Sequence, residues 1–326
     1  MPRVLQKRDI SGAHDTEGMP TSTERWRARS GLPRSKGILA PAPGEPGIEP
    51  LSTAADAQAA SPDAPIRLTR HAVDRSVAHL VRHVWTPRWQ LPSGVVVRQS
   101  VLEYPSANLV IEADAAGLYG PALGRGDERL EGSGWAFGAL LQPGVAKRLA
   151  AVPMRQLVGG VAYLHDLRAH GAPAFAADVR RAMSAGDEAS ALSVFQRWIG
   201  AQRIALDADA TLVREVVELA ETDRAILRAE DLARASGLGL RSLQRLVRDE
   251  LGLTPKWLIQ RYRMQEAAAA LAEPDPPPLA DLAAALGFAD QAHLTREFRA
   301  VIGETPRRYA RRAGARGPQS AVAALG

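Results

Sequence analysis

The residues best placed to do chemistry form two short rows of arginine and glutamine, in matching positions of a weak internal duplication near the C-terminus. The first copy runs from Asp231 to Pro255 and the second from Asp281 to Pro306. Leu243 matches Leu294, Arg245 matches Arg296, Gly252 matches Gly303, Thr254 matches Thr305 and Pro255 matches Pro306, all at a separation of 51. Leu232, Ala233 and Gly237 match Leu282, Ala283 and Gly287 at 50, so the second copy carries one extra residue in its turn. In "LRSLQRLVRDEL" (240–251), Leu243, Leu246 and Val247 fall on one helical face, which turns Arg241, Gln244, Arg245 and Arg248 outward. In "QAHLTREFRAVI" (291–302), Leu294, Phe298 and Ile302 form the inner stripe; Gln291, Ala292, His293, Thr295, Arg296 and Arg299 take the other face. Arginine forks onto the O6 and N7 atoms of guanine, and glutamine onto the N6 and N7 atoms of adenine. The chemistry these rows offer is readout of base edges in a DNA major groove.

Such rows must be held at a fixed angle, and each copy has the layout that does this. A short first helix ("DLARAS", "ADLAAAL") ends at a glycine, Gly237 or Gly287, and the second helix follows, as in a helix-turn-helix. Between the copies, 254–273 reads as one long helix with Thr254 as N-cap and Pro255 at its first position, broken at Pro274–Pro278. From Pro255 to Glu273 it spans about 28 Å at 1.5 Å per residue. Successive major-groove faces lie about 34 Å apart, so one chain has the reach to fill two of them.

Here the sequence resembles the AraC/XylS family of bacterial transcription regulators. The resemblance covers about Thr211 to Arg312 and is carried most specifically by Gly287-Phe288, Phe298, Gly303, Thr305-Pro306 and Tyr309. It implies that Arg241, Gln244 and Arg245 read bases in the first unit, and Ala292, His293, Thr295 and Arg296 in the second. Ala292 offers apolar contact alone, as with a thymine methyl. The stretches 84–94, 104–112 and 138–153 are similar to a small β-rich N-terminal domain attached to one subset of that family. By that resemblance the domain senses a small molecule or mediates dimerisation. Pro105-Ser106-Ala107 departs from the family's usual Pro-Asp-Gly, so no ligand role is transferred to that loop.

The expected fold class is α+β: a β-rich N-terminal domain, then an all-α C-terminal domain with two helix-turn-helix units joined by a long helix. Residues 1–64 are rich in proline and small polar residues and read as a disordered leader. Segments 94–104, 108–113 and 135–144 look like strands of a domain spanning 66–160. A helical connector follows at 161–210, the DNA-binding domain at 211–313 and a flexible tail at 314–326.

Composition bounds the alternatives. The 326 residues carry 37 arginines and only four lysines, with a net charge of +5. Both phosphate binding and codon bias in a GC-rich genome produce that ratio. Residues 225–313 hold 14 Lys+Arg and 11 Asp+Glu, so basic charge there must be localised on the reading face. Zero cysteine removes disulfides, Cys-ligated metals and thiol nucleophiles, including the cysteine acceptors of alkyl-transfer repair. His79 and His83 stand at a metal-compatible spacing without a third ligand, and "GSGWAFG" (132–138) lacks the Lys-Ser/Thr ending of a phosphate loop. No catalytic site, metal or cofactor is expected. Trp198 and Trp257 read as core; Trp85, Trp89 and Trp135 either pack the β-rich core or line a cavity in it. The expected partner is double-stranded DNA, with RNA polymerase and a small-molecule effector as further candidates. No apolar run is long enough for a membrane span, and a cytoplasmic location is expected.

Overall fold

A computed structural model describes residues 49–51, 65–101, 104–124 and 126–314. The leader expected at 1–64 and the tail at 314–326 lie almost wholly outside the described residues.

Nine strands come first: β1 (Glu49–Leu51), β2 (Ile66–His71), β3 (Val81–Gln90), β4 (Val96–Val101), β5 (Asn108–Glu112), β6 (Ala116–Tyr119), β7 (Gly126–Glu131), β8 (Ser133–Leu141) and β9 (Val161–Tyr163). Seven form one sheet in the order β1-β2-β3-β8-β5-β6-β9, and β4 pairs with β7. All pairings are antiparallel except β1 with β2. Helices α1 (Val145–Leu149) and α2 (Met154–Leu157) lie between β8 and β9. Helices α3 (Ala172–Ser184) and α4 (Glu188–Ala201) cover one face of the large sheet.

That covered face is the main β-domain core. Leu109, Ile111, Phe137 and Ala139 meet Phe175, Val179, Phe195 and Ile199, all buried. The segment read as a connector, 161–210, is therefore built into this domain: β9 extends its sheet, and α3 and α4 close its core. An amphipathic helix announces an apolar face in sequence, but not which surface that face will meet. On the opposite face the indole of Trp85 lies across Gly138, where a Cβ would come within 2.0 Å of the ring. Trp85 donates from Nε1 to Asn108 Oδ1 at 3.1 Å.

The remaining chain is helical: α5 (Ala208–Thr222), α6 (Ala229–Ala235), α7 (Leu240–Leu251), α8 (Pro255–Leu271), α9 (Leu279–Ala285), α10 (Gln291–Ile302) and α11 (Pro306–Gly314). Two further cores form here. One gathers Val213, Val217, Leu232, Leu243 and Val247; the other gathers Leu282, Leu294, Phe298, Ile302 and Tyr309. Helix α8 serves both, with Leu258, Ile259 and Tyr262 in the first and Met264, Ala267 and Leu271 in the second. Among the described residues no helix is long and apolar enough to cross a membrane.

Candidate nucleic-acid interface

Helices α6 and α7 form the first helix-turn-helix, and α9 and α10 the second. Both turns pass through the glycine that the sequence marks, with φ of +69° at Gly237 and at Gly287. Both second helices end on a left-handed glycine as well, Gly252 and Gly303. The carboxylate of Asp231 accepts the Arg228 N–H at 3.0 Å and ties down the start of α6. Asp290 caps α10 by accepting the His293 N–H at 2.6 Å. Thr254 caps α8 by accepting the Trp257 N–H at 3.1 Å, with Pro255 in the first turn.

The expected inner stripes are buried: Leu243, Leu246 and Val247 on α7, and Leu294, Phe298 and Ile302 on α10. Arg241, Gln244, Arg245 and Arg248 are exposed on α7, as are Gln291, Ala292, Arg296 and Arg299 on α10. His293 and Thr295 are half-buried and engaged. Thr295 donates its hydroxyl to the Gln291 carbonyl at 2.8 Å. The His293 ring stands edge-on to Phe288, and its Nδ1 faces the Ala289 N–H at 3.4 Å. These two side chains hold the turn and first helical turn of the second unit. On α11, Arg307 and Arg311 are exposed, whereas Arg308 and Arg312 pair with Glu304.

The rear of the first unit is joined to the β-rich domain by buried charge. Glu250, in the last turn of α7, has no exposed surface; it accepts Lys147 at 2.6 Å and is also bound by Arg148, both from α1. Arg148 reaches Asp207, the N-cap of α5, as well. Next to Glu250, a Cβ on Gly252 would come within 2.5 Å of the Met154 carbonyl oxygen of α2. A second contact lies on α8. Arg261, almost fully buried, donates through Nη2 to the carbonyls of Ala122, Leu123 and Gly124 at 2.9–3.0 Å. Trp257 donates to the Leu123 carbonyl at 3.3 Å, and the Arg261 guanidinium sits 4.6 Å from its ring centroid. Trp257, expected as core, is thus a half-buried part of this joint. In a third contact, Arg82 grips both oxygens of Glu221 at 2.9 and 3.0 Å, and Tyr104 donates to the same carboxylate at 3.2 Å. Burial pushes the Tyr104 hydroxyl well above its ordinary range and keeps it a donor.

Sequence reasoning missed this joint, although one signal was available. Glu250 continues the Leu243–Leu246–Val247 stripe at helical spacing, and a carboxylate on a buried stripe demands cationic partners. The histidine pair separates: His83 lies in β3 and His79 in the turn before it, and no three-residue ligand cluster exists among the described residues.

Comparison with known proteins agrees with this geometry. Residues 232–312 match a family described as a helix-turn-helix domain, and residues 69–162 match a domain of unknown function (DUF6597). The transcriptional activator NphR of a Rhodococcus species is 35% identical over 101 residues. That match takes in 31% of this chain and 29% of NphR, so the chain spans less than a third of the length of that curated relative. Among solved structures, the C-terminal domain of AraT, a response regulator from Geobacillus stearothermophilus, is 23% identical with a TM-score of 0.29; 32% of this chain and 88% of that one are covered. ToxT from Vibrio cholerae superposes loosely, at 10% identity and a TM-score of 0.38, over 70% of this chain and 98% of its own. Over residues 232–312, which take in most of both paired units, the chain carries a helix-turn-helix domain.

Proposed function

We propose that this protein is a sequence-specific DNA-binding transcription regulator acting in the cytoplasm. Its two reading helices enter successive major-groove segments of one site. The observation that carries this is the repeated pairing of a buried inner stripe with an exposed Arg/Gln row, with Arg245 and Arg296 at equivalent positions of α7 and α10. Arg241, Gln244, Arg245 and Arg248 serve one segment; Gln291, Ala292, Arg296 and Arg299 serve the other. His293 and Thr295 touch DNA only through what their structural bonds leave over. Arg307 and Arg311 are suited to phosphate contact. RNA polymerase and a small effector complete the set of proposed partners.

The test is fluorescence anisotropy on a duplex selected from a random library by the full chain. Arg245→Ala or Arg296→Ala should each weaken binding by about 1–3 kcal/mol and relax the base preference at one position. Wild-type affinity in both variants would sink the assignment.

A second reading concerns control. The β-rich domain is positioned to govern the first unit, because α1 and α2 hold the rear of α7 while its reading row stays open.

A further inference from the structure

The two units differ at the positions where they meet. At the spacing of 51, Leu246 in the inner stripe of α7 corresponds to Glu297 on α10; at 50, Gly237 and Leu238 of the first turn correspond to Gly287 and Phe288 of the second. A Cβ at Gly237 would meet nothing within 4 Å, whereas one at Gly287 would come within 2.6 Å of the Leu227 side chain. Leu227 lies just before α6, so the turn of the second unit is seated on the first. Glu297 accepts a hydrogen bond from Gln260 Nε2 of α8. Three residues on, on the same face of that helix, Arg263 lays its guanidinium 4.1 Å from the Phe288 ring centroid.

Arg263 looks to the second unit for its interactions. Its Nε and Nη2 atoms are buried and have no hydrogen-bond partner among the described residues. Burial pulls the guanidinium below its ordinary range, and the charge of Glu297 works against that. The side chain is thus held by the ring face of Phe288, in the turn before α10, and by the field of Glu297, midway along α10. His293, one turn before Glu297, stands edge-on to the same ring. What α8 adds to the second core is smooth by contrast: Ala267, Ala268 and Ala270, with Met264 and Leu271. Small or flexible apolar side chains fill space without fixing an angle. The angle between the units is left to Leu227, Gln260 and Arg263, which come from a loop and a helix of the first half.

We propose that this seam fixes the second reading helix relative to the first, and thereby makes the protein selective for the number of base pairs between its two major-groove segments. The inference rests on the two-segment reading proposed above. One base pair more or less moves the second segment by about 3.4 Å and turns it by about 34° around the DNA axis. A second unit free to swivel on α8 follows such a change; one held at Phe288 and Glu297 does not. Gln260, Arg263 and Glu297 are therefore positioning residues, which act through the placement of the exposed Gln291, Arg296 and Arg299 on α10.

The test is anisotropy with the full chain on its selected duplex and on two derivatives, with one base pair inserted or deleted between the segments. Wild type should bind either derivative at least about 30-fold more weakly, since the base contacts of one segment are misplaced together. Arg263→Met and Gln260→Leu should each keep affinity for the selected duplex within about fivefold, and shrink the penalty on the derivatives to less than about fivefold. Glu297→Leu, which restores the residue type of the first unit, should behave alike. A variant that is merely less stable weakens on all three duplexes in proportion and leaves the penalty as it was. A penalty left intact in any of the three variants, or wild type binding all three duplexes equally, would overturn the proposal. Failure to select any duplex overturns the DNA-binding reading, and this proposal with it.

Discussion

Glu250→Gln removes one charge from the joint and leaves the shape of the side chain intact. Glu250 is fully buried; of its partners, the Arg148 side chain is 13% exposed and that of Lys147 40%. Breaking a buried ion pair from one side costs about 3–5 kcal/mol when the orphaned charge has nowhere to go. Here Lys147 is free to turn into solvent, and Arg148 keeps Asp207 and the Gly144 carbonyl, which it reaches at 2.8 Å. The cost should fall to about 2 kcal/mol, or about 30-fold in the docking equilibrium of α7 on α1. The assay is urea unfolding of the full chain in a double-mutant cycle of Glu250→Gln with Arg148→Gln, which isolates the pair. Its coupling energy should be about 1.5–2 kcal/mol. Asp178–Arg181, an exposed pair within α3, supplies the contrast at no more than about 0.5 kcal/mol. A Glu250–Arg148 coupling as small as that control would refute the claim that buried charge fastens the reading helix to the β-rich domain.

Two further outcomes follow from backbone geometry and burial. Gly237 and Gly252 have nearly the same positive φ, yet a Cβ at Gly237 meets nothing within 4 Å while one at Gly252 runs into Met154. Thermal unfolding should show Gly237→Ala costing about 1 kcal/mol, as a left-handed alanine does, and Gly252→Ala at least twice that; equal costs would refute the α2–α7 packing. Burial, with Arg70 and Arg82 adding repulsion, pushes the His83 imidazole down to about 3 from an ordinary value near 6.5. Its neutral form thus contributes stability that is complete above pH 6.5 and erodes as pH falls toward 3. His83→Gln should flatten the pH dependence of unfolding free energy across that window, and an unchanged slope would contradict the assignment.

The recognition helices were legible because every signal that defines them is local. An inner stripe and a turn glycine lie within one unit, and α7 and α10 begin and end where the sequence places them. The strands were harder. Strand β3 is covered on both faces, with Val84 and Thr86 toward the helices and Trp85 laid over Gly138, so "VRHVWTPRWQ" shows no clean alternation. The short β6, β7 and β9 had no signal beyond bounding glycines. Nor does the sequence show what lies far away along the chain: Lys147 and Glu250 are 103 residues apart, and their pairing belongs to the tertiary fold alone.

The joint also explains why the two units need not respond alike. Apolar packing is non-directional, whereas a buried carboxylate gripped by two cations is satisfied in only one docked position. All three polar contacts with the β-rich domain fall on the first unit or on the bundle carrying it: Glu250 on α7, Arg261 and Trp257 on the first half of α8, and Glu221 on α5. The second unit is tied to that half of the molecule through α8, where Gln260 bonds Glu297 of α10 and the Arg263 guanidinium lies 4.1 Å from the Phe288 ring centroid. A contact of the β-rich domain therefore bears on the rear of α7 directly, and on the second unit through α8 and through Leu227, which packs against the turn glycine Gly287. On the route through α8 the turn residue reached is Phe288, against which His293 stands at the start of the second reading row.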